Sequence, residues 1–116
     1  MREISFRVWD KLLFVMHYQY EYEREILIAG GYSFGEILPM KERFEFMQFT
    51  GLLDKNGKKI FESDLVKDDD GLVAEVVWIV PGFLLEIKDH GPFSLNDFGN
   101  LEVIGNIYEN PELVKP

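Results

Sequence analysis

The stretch MQFTGLLDKNGKKIFESDLV, from Met47 to Val66, decides the fold of this chain. Its Asn56-Gly57 dipeptide stands between two apolar segments, which is a strong short-range signal for a β-hairpin. We therefore predict two short strands around this turn. An acidic corner, Glu62-Ser63-Asp64, follows the second strand and leads into a further strand that begins at Leu65.

Strand signals also precede this block. Apolar and polar residues alternate from Ile4 to Val8, which is typical of a strand with one buried face. The same alternation places Tyr18, Tyr20 and Tyr22 on one face of a second predicted strand. A helix remains an alternative for Tyr20–Leu27, because Glu and Arg favour helices.

The remaining segments are short and separated by turns. Lys41–Phe49 is compatible with either a helix or a strand, whereas Tyr32–Leu38 is predicted to be extended. Gly91 and Pro92 belong to a predicted turn, and Phe93–Phe98 is predicted to be a loop or a short helical turn. The other predicted strands are Leu72–Val80, Phe83–Lys88 and Leu101–Tyr108. This spacing predicts a mainly β fold with little helix, either a small barrel or a sandwich.

Composition limits the classes of function. The 116 residues fit one domain of ordinary size, and the chain contains no cysteine. Residues 59–116 carry four basic and twelve acidic side chains, out of a net charge of −9 for the whole chain. Nucleic-acid binding through that half is therefore not expected, since phosphate binding needs clustered cations. No apolar segment is long enough to span a bilayer, so we expect no membrane association and a cytoplasmic location.

Candidate reactive groups are few. Neither His17 nor His90 has a second ligand at metal-binding spacing, and neither acidic turn matches a calcium loop. Glu62 and Asp64 form the best acid pair, but no cleft or partner electrophile is visible for them. Asp64 is instead expected to accept hydrogen bonds from nearby backbone N–H groups and to fix the corner before Leu65. We expect no metal, no cofactor and no enzymatic activity.

Three blocks stand in this order along the chain: RVWD at Arg7–Asp10, the central block from Met47 to Val66, and VIGNIYENPEL at Val103–Leu113. Together they resemble the YopX-type family of phage and prophage proteins. Residues 12–43 contain none of these blocks. Ser63 stands where the family commonly has Gly, which would strain the corner if that position requires a positive φ.

The resemblance implies a fold and a domain organisation. It implies a small barrel of the Src-homology-3 type over residues 47–116, preceded by a β-rich extension over residues 1–46, with both parts folding as one unit. It also implies an origin in a phage or prophage genome and self-association. The family-motif positions, which we interpret as structural, are Trp9, Asp10, Gln48, Thr50, Gly51, Asp54, Asn56, Gly57, Glu62, Asp64, Gly105 and Asn106.

We favour an accessory protein that binds other proteins, including copies of itself and a host or phage protein. The apolar tail that follows the last strand is the candidate surface for self-association, namely Ile107, Tyr108, Pro111 and Leu113. The alternative function is a nucleic-acid-associated module. It would use the basic residues of the first half, which are Arg2, Arg7, Lys11, Arg24, Lys41 and Arg43.

Overall fold

The computed structural model describes residues 5–22, 25–29, 32–79, 82–87, 91–95 and 100–114. It divides into two compact units, Met1–Phe49 and Thr50–Pro116. The division falls three residues after the boundary that we expected between residues 46 and 47. Strand β6 (Phe44–Leu53) runs through this boundary without a break.

The first unit contains two antiparallel sheets and a short helix. In one sheet β1 lies between β2 and the first part of β6, and in the other β4 lies between β3 and β5. Its core consists of Val8, Ile28, Ile37 and Phe44, which pack together. The elements before β6 are β1 (Phe6–Asp10), β2 (Val15–Tyr18), β3 (Tyr20–Tyr22), β4 (Glu25–Ala29), β5 (Tyr32–Ser33) and α1 (Phe34–Ile37).

Three segments of this unit answer questions that the sequence left open. Tyr20–Leu27 is not helical, since β3 and β4 occupy its described part. Lys41–Phe49 is a turn followed by β6. The extended prediction for Tyr32–Leu38 was wrong after Ser33, where α1 begins. The N–H and the Oγ of Ser33 both donate to Glu36 Oε1, at 3.0 and 3.1 Å, and the bond from the N–H is one half of a capping box.

The second unit is a five-stranded antiparallel sheet preceded by a hairpin. The hairpin joins the end of β6 to β7, and the sheet has the order β11-β10-β9-β8-β12. Its elements are β7 (Lys59–Phe61), β8 (Asp64–Lys67), β9 (Val73–Ile79), β10 (Gly82–Ile87), β11 (Gly91–Ser94), β12 (Glu102–Asn106) and a 3-10 helix (Pro111–Leu113). The core residues are Ile60, Val66, Ala74, Val76, Leu85, Ile87, Leu95 and Leu101.

The mainly β prediction is confirmed, while the Src-homology-3 type of barrel stays a prediction. The turn predicted at Gly91 and Pro92 was wrong, because both residues belong to β11, where they face Ile87 and Glu86. His90 lies outside the described residues. Trp78, near the end of β9, is 49% exposed.

Candidate functional site

The turn between β1 and β2 presents three apolar side chains to solvent. Leu12, Leu13 and Phe14 are 65%, 59% and 74% exposed, and we call them the apolar knob. They are the last three residues of the four-residue loop that joins the paired strands β1 and β2. Turn tips usually carry Gly, Asn, Asp or Ser, so three successive large apolar residues at this place are unusual.

A buried carboxylate holds this turn in shape. Asp10 is 1% exposed, and its Oδ1 accepts the N–H groups of Leu12 and Leu13 at 2.9 and 3.2 Å. Arg43 donates to both oxygens of the same carboxylate, through Nε at 3.1 Å and Nη2 at 2.9 Å. These four hydrogen bonds fix the first half of the loop against the segment that precedes β6.

The electrostatics of Asp10 follow from these contacts. The hydrogen bond from Arg43 lowers the pKa of Asp10 most strongly, burial opposes it, and the two backbone N–H groups lower it further. The resulting pKa is about 2 instead of 3.8. Asp10 is therefore ionised at every physiological pH, and it serves the turn as a permanent acceptor.

The second half of the loop is conformationally strained. Phe14 has a φ of 56°, in the left-handed region that large side chains rarely adopt. Its N–H donates to the Asp10 carbonyl at 2.8 Å, and its ring contacts Trp9 edge-on with 6.3 Å between centroids. The fold thus maintains an unfavourable backbone conformation that keeps a phenyl ring in solvent, a pattern associated with functional sites.

A shallow cavity of about 300 Å³ lies beside the knob. It is lined by Lys11, Leu12, Glu42 and Arg43. Its two basic groups are already paired, since Lys11 contacts Glu45 at 2.8 Å and Arg43 contacts Asp10. The surroundings of the knob are therefore close to neutral, and they supply no concentrated charge for a small ionic ligand.

The family-motif residues of the second unit build turns. Asp54 is buried and accepts the N–H groups of Asn56 and Lys58 within the hairpin, at 2.9 and 2.8 Å. Its other oxygen accepts the N–H of Val103 at 2.9 Å. Burial by itself would raise the pKa of Asp54, but the three backbone hydrogen bonds outweigh it and lower the pKa. One side chain thus connects the central block to the last strand.

Other residues of the central block have similar roles. Thr50 Oγ1 donates to the Ile60 carbonyl at 2.8 Å and accepts the Leu52 N–H at 3.1 Å. The hairpin turn spans Asp54–Gly57 and is closed by the Gly57 N–H, which donates to the Asp54 carbonyl at 3.0 Å; Gly57 adopts a φ of 82° that a side chain would resist. Gly51 lies in β6 with a φ of 92°.

The acidic corner does not form an acid pair on a strand. Glu62 and Ser63 are in the turn, whereas Asp64 begins β8. Asp64 is buried, and its Oδ2 accepts the N–H of Phe61 at 2.7 Å, which is the role that the sequence analysis gave it. The arrangement explains how the chain reverses between β7 and β8.

The third family block forms a network of hydrogen bonds at the end of the second unit. Asn106 Oδ1 accepts the N–H groups of Tyr108 and Glu109 at 3.0 and 2.8 Å, and its Nδ2 donates to Glu109 Oε1 at 2.8 Å. A Cβ at Gly105 would overlap the side chain of Asn110, whose Oδ1 accepts the Asn106 N–H. Only glycine therefore fits at position 105 without displacing this network.

The three remaining family-motif residues lie in the first unit. Trp9 and Asp10 belong to β1, and Gln48 lies in β6, opposite Phe6. The family-motif residues therefore do not converge on one centre within either unit. Across the described part of the chain, no three His, Asp or Glu side chains gather closely enough to hold a metal ion.

The four residues of the predicted self-association tail differ in their exposure to solvent. Ile107 and Tyr108 are half-buried, and the Ile107 N–H donates to the Ser63 carbonyl at 3.1 Å. Pro111 and Leu113 are exposed on the 3-10 helix. The role of these four residues in self-association stays a prediction. No helix in the described ranges is long and apolar enough to span a bilayer.

Fold and motifs define a mainly β protein of two units, in which the motif residues shape turns. The chain belongs to the YopX family, whose model, described as YopX protein, matches residues 5–115. This result confirms the resemblance drawn from the three sequence blocks. No curated protein matches the chain.

Two solved structures are similar to it. Protein EF1440 from Enterococcus faecalis is 25% identical with a TM-score of 0.68, and the alignment covers 99% of this chain and 100% of that one. Protein yopX from Bacillus subtilis is 19% identical with a TM-score of 0.59, and the coverage is the same. The latter likeness shows the fold alone.

Sequence reasoning missed the apolar knob because it lies in the segment that matched no family block. A signal was nevertheless present. The aspartate of RVWD directly precedes Lys11-Leu12-Leu13-Phe14, and Asp commonly accepts the N–H groups of the residues that follow it. The position of this aspartate predicts a turn, and the apolar residues within that turn are unusual.

Proposed function

We propose that this protein is a non-enzymatic accessory protein of phage or prophage origin that acts in the cytoplasm by binding other proteins, including copies of itself. The apolar knob is the surface that carries this activity. The observation behind the proposal is the exposure of Leu12, Leu13 and Phe14 on a turn whose backbone is held by the buried carboxylate of Asp10, which is paired with the partly exposed Arg43.

The size of the knob supports an interaction site. The three side chains together expose on the order of 300 Å² of apolar surface, which is comparable to the largest patches on monomeric proteins. Such a patch alone is too small for a stable dimer, which needs about 800 Å² per partner. The knob therefore serves as the central anchor of an interface whose rim comes from neighbouring polar groups.

The rigidity of the turn supports the same conclusion. Binding costs free energy when side chains and loops have to be ordered. Asp10 and Arg43 order this loop in advance, and the strained φ of Phe14 shows that the fold keeps its ring exposed at a cost of about 1–2 kcal/mol. Asn or Gly at this position would relieve the strain but would remove the exposed ring.

The alternative nucleic-acid function receives less support from the described residues. Of its six candidate cations, Arg7 is buried, Lys11 is paired with Glu45, and Arg43 is paired with Asp10. Lys41 is exposed, while Arg2 and Arg24 lie outside the described residues. Cations that already have acidic partners release few counterions on binding phosphate, so they add little affinity.

Sedimentation of the full chain with Phe14→Asn tests the proposal. Asn tolerates the left-handed conformation better than Phe, so this variant removes the exposed ring while keeping the turn. We expect the wild-type protein to associate with increasing concentration and Phe14→Asn to remain monomeric with an unchanged or higher melting temperature.

Two control variants separate the knob from other surfaces. Leu53→Ser changes an exposed apolar residue of the second unit and should associate like the wild type. Leu113→Ser changes the predicted tail and should do the same. If Leu113→Ser abolishes association and Phe14→Asn does not, the tail is the interface and the knob proposal is wrong. A wild-type protein that is monomeric at every concentration would also refute it.

A further inference from the structure

Two hairpin turns of the second unit are held by the same set of hydrogen bonds. In the turn between β6 and β7, Asp54 Oδ1 accepts the N–H groups of Asn56 and Lys58 at 2.9 and 2.8 Å. The Gly57 N–H donates to the Asp54 carbonyl at 3.0 Å. We call these three bonds, made to one aspartate, the aspartate clamp.

The turn between β8 and β9 repeats the aspartate clamp. Asp68 Oδ1 accepts the N–H groups of Asp70 and Leu72, both at 2.9 Å. The Gly71 N–H donates to the Asp68 carbonyl at 3.1 Å. Gly57 and Gly71 also have nearly equal φ angles, of 82° and 84°. At the position before this glycine, the first turn carries an amide and the second a carboxylate.

The amide in the first turn precedes a residue that favours its deamidation. The backbone nitrogen of Gly57 can attack Cγ of Asn56, since glycine has no side chain to shield its nitrogen. A C–N bond forms, the bond from Cγ to the side-chain nitrogen breaks, and ammonia leaves with the Gly57 amide proton. Water then opens the succinimide ring and gives either aspartate or isoaspartate. This Asn-Gly pair is the only one in the sequence.

We propose that Asn56 is a site of spontaneous deamidation that is blocked in the folded protein and becomes reactive when the β6–β7 hairpin opens, so that the aspartate clamp sets its rate. The reaction needs water and no other reactant. Solvent access does not limit it, because Asn56 and Gly57 are both exposed. The hydrogen bonds of the turn provide the block instead.

The aspartate clamp opposes the attack in two ways. The Gly57 nitrogen has to lose its proton, and the hydrogen bond to the Asp54 carbonyl retains that proton. The attack also places negative charge on the side-chain oxygen of Asn56. The Asn56 N–H is already bonded to the Asp54 carboxylate, so the new charge develops close to a charge of the same sign.

The first clamp is held more firmly than the second. Asp54 is 7% exposed, and its Oδ2 accepts the Val103 N–H of β12 at 2.9 Å. The clamp bonds of Asp68 are exposed, and within the described residues no other strand donates to its carboxylate. The first turn therefore opens only when its contact with β12 breaks, whereas the second can open locally.

The two products of deamidation differ in their effect on the hairpin. Asp70 shows that a carboxylate at this position is compatible with the clamp, because its N–H donates to Asp68 in the usual way. Isoaspartate continues the chain through its side-chain carbon, which inserts an additional backbone atom before Gly57. The N–H groups of Gly57 and Lys58 are then displaced from Asp54, so a hairpin that has reacted in this way cannot close as before.

Mass spectrometry of the incubated full chain tests the proposal. The protein is kept in warm, mildly alkaline buffer, and the loss of ammonia at Asn56 is followed in proteolytic peptides. We expect the folded protein to react at least about tenfold more slowly than the chain in urea, because its reaction waits for the turn to open. Equal rates in both conditions would overturn the proposal.

The second turn provides a matched comparison within one molecule. Asp70→Asn introduces an Asn-Gly pair into that turn, and position 70 of the folded variant should react at least about threefold faster than Asn56. The proposal is wrong if the two positions react at the same rate. This comparison and the one in urea do not depend on altering the clamp of the first turn.

A further pair of variants tests the clamp itself. Asp54→Asn removes its charge and should speed the reaction at Asn56 at least about threefold, whereas Asp68→Asn makes the same change in the second turn and should leave that rate unchanged. Equal acceleration by both variants would contradict the proposal. The isoaspartate form, separated by chromatography, should melt below the wild type, while Asn56→Asp should melt close to it. An isoaspartate form as stable as the wild type would show that the hairpin does not depend on the clamp.

Discussion

Ser63 shows how one residue bears the conformational cost of a corner. Its φ is 73°, although it has a side chain. Two backbone hydrogen bonds hold it there, from its own N–H to Val76 at 2.7 Å and from Ile107 to its carbonyl at 3.1 Å. Because both bonds join different parts of the second unit, the corner cannot relax without disturbing the sheet.

Replacement of Ser63 by Gly should therefore stabilise the protein. Gly adopts positive φ without a steric cost, although it also gives the unfolded chain more freedom. We expect a net gain of about 0.5–1 kcal/mol, measured by urea or thermal denaturation. Ser63→Ala keeps the strain and should show no such gain. A lower stability of Ser63→Gly would mean that the hydroxyl contributes more than the backbone conformation costs.

The sequence predicted the kind of role that single turn residues have, but not their distant partners. Asp54, Asp64 and Asn56-Gly57 were identifiable because Asp, Asn and Gly have strong local preferences in turns. The hydrogen bond from Val103 to Asp54 crosses 49 positions of sequence. No local preference specifies such a pair, since it depends on where β12 joins the sheet.

At the scale of elements, the β1–β2 turn depends on the Asp10–Arg43 ion pair. The folded pKa of Asp10 is about 2, below its ordinary 3.8, so its contribution to stability is complete above about 4 and is lost as the pH falls toward 2. We expect Asp10→Asn to cost about 1–2 kcal/mol at neutral pH, a value reduced by solvent screening at the partly exposed Arg43. Denaturation curves at several pH values measure the difference.

The double variant with Arg43→Gln gives the control for this prediction. If the two residues act through their ion pair, Asp10→Asn should cost less in the Arg43→Gln background than in the wild type. The difference between wild type and Asp10→Asn should also shrink below pH 4. A cost that is independent of pH would assign the effect to packing of the buried side chain instead.

Strands β9 and β10 contain an opposed pair of like charges. Glu75 and Glu86 face each other in the antiparallel register. Burial raises the pKa of Glu75, and the charge of Glu86 raises it further. A raised folded pKa means that ionised Glu75 destabilises the fold above that pKa, and that this penalty disappears when the group is protonated at lower pH.

Glu86→Gln should relieve part of this penalty. We expect a gain of about 0.2–1 kcal/mol at neutral pH, because directly opposed like charges destabilise a strand pair. The gain should vanish in acid, where Glu75 is neutral in both proteins. Glu112→Gln, an exposed change on the 3-10 helix, serves as the comparison and should leave the stability nearly unchanged. An equal gain from Glu112→Gln would indicate a general effect of net charge.

Element boundaries were predictable where strand alternation was strong and less so where short local motifs competed with it. The strands of the central block were found because Asn-Gly marks a turn between two apolar segments. Helix α1 was missed because its local signal spans only Ser33 to Glu36 and is too short to stand out within an extended pattern. The position of Trp78 could not be read from alternation, which gives the face of a strand but not the extent of the core.

At the scale of the whole molecule, each compact unit contains one tryptophan. Trp9 lies in the first unit and Trp78 in the second. Because β6 runs through the boundary as one hydrogen-bonded strand, we expect both units to unfold together. Fluorescence of Trp9→Phe and Trp78→Phe should therefore report coincident urea transitions. Two separated midpoints would instead show that the units unfold independently.

The mainly β class and the family were predictable for the whole chain, whereas the exposed apolar residues were not. The fold class follows from the alternation of apolar and polar residues and from the spacing of turns. The family follows from three sequence blocks that keep their order along the chain. Exposure of Phe14 or Trp78 depends on which neighbours cover them, and this is a property of the folded molecule. The apolar character of a residue alone does not show whether it lies in the core or on a binding surface.

Strand β6 also limits how the gene could be rearranged. A recombination event between the codons of Phe49 and Thr50 would join two halves of a single strand, so the incoming half would have to continue the same inward and outward alternation of side chains. An inserted peptide tag at that junction would interrupt the strand, and a tag of odd length would also reverse the faces of the β6 side chains that follow it. The exposed Asp69-Asp70-Gly71 loop is a more permissive place for such an insertion.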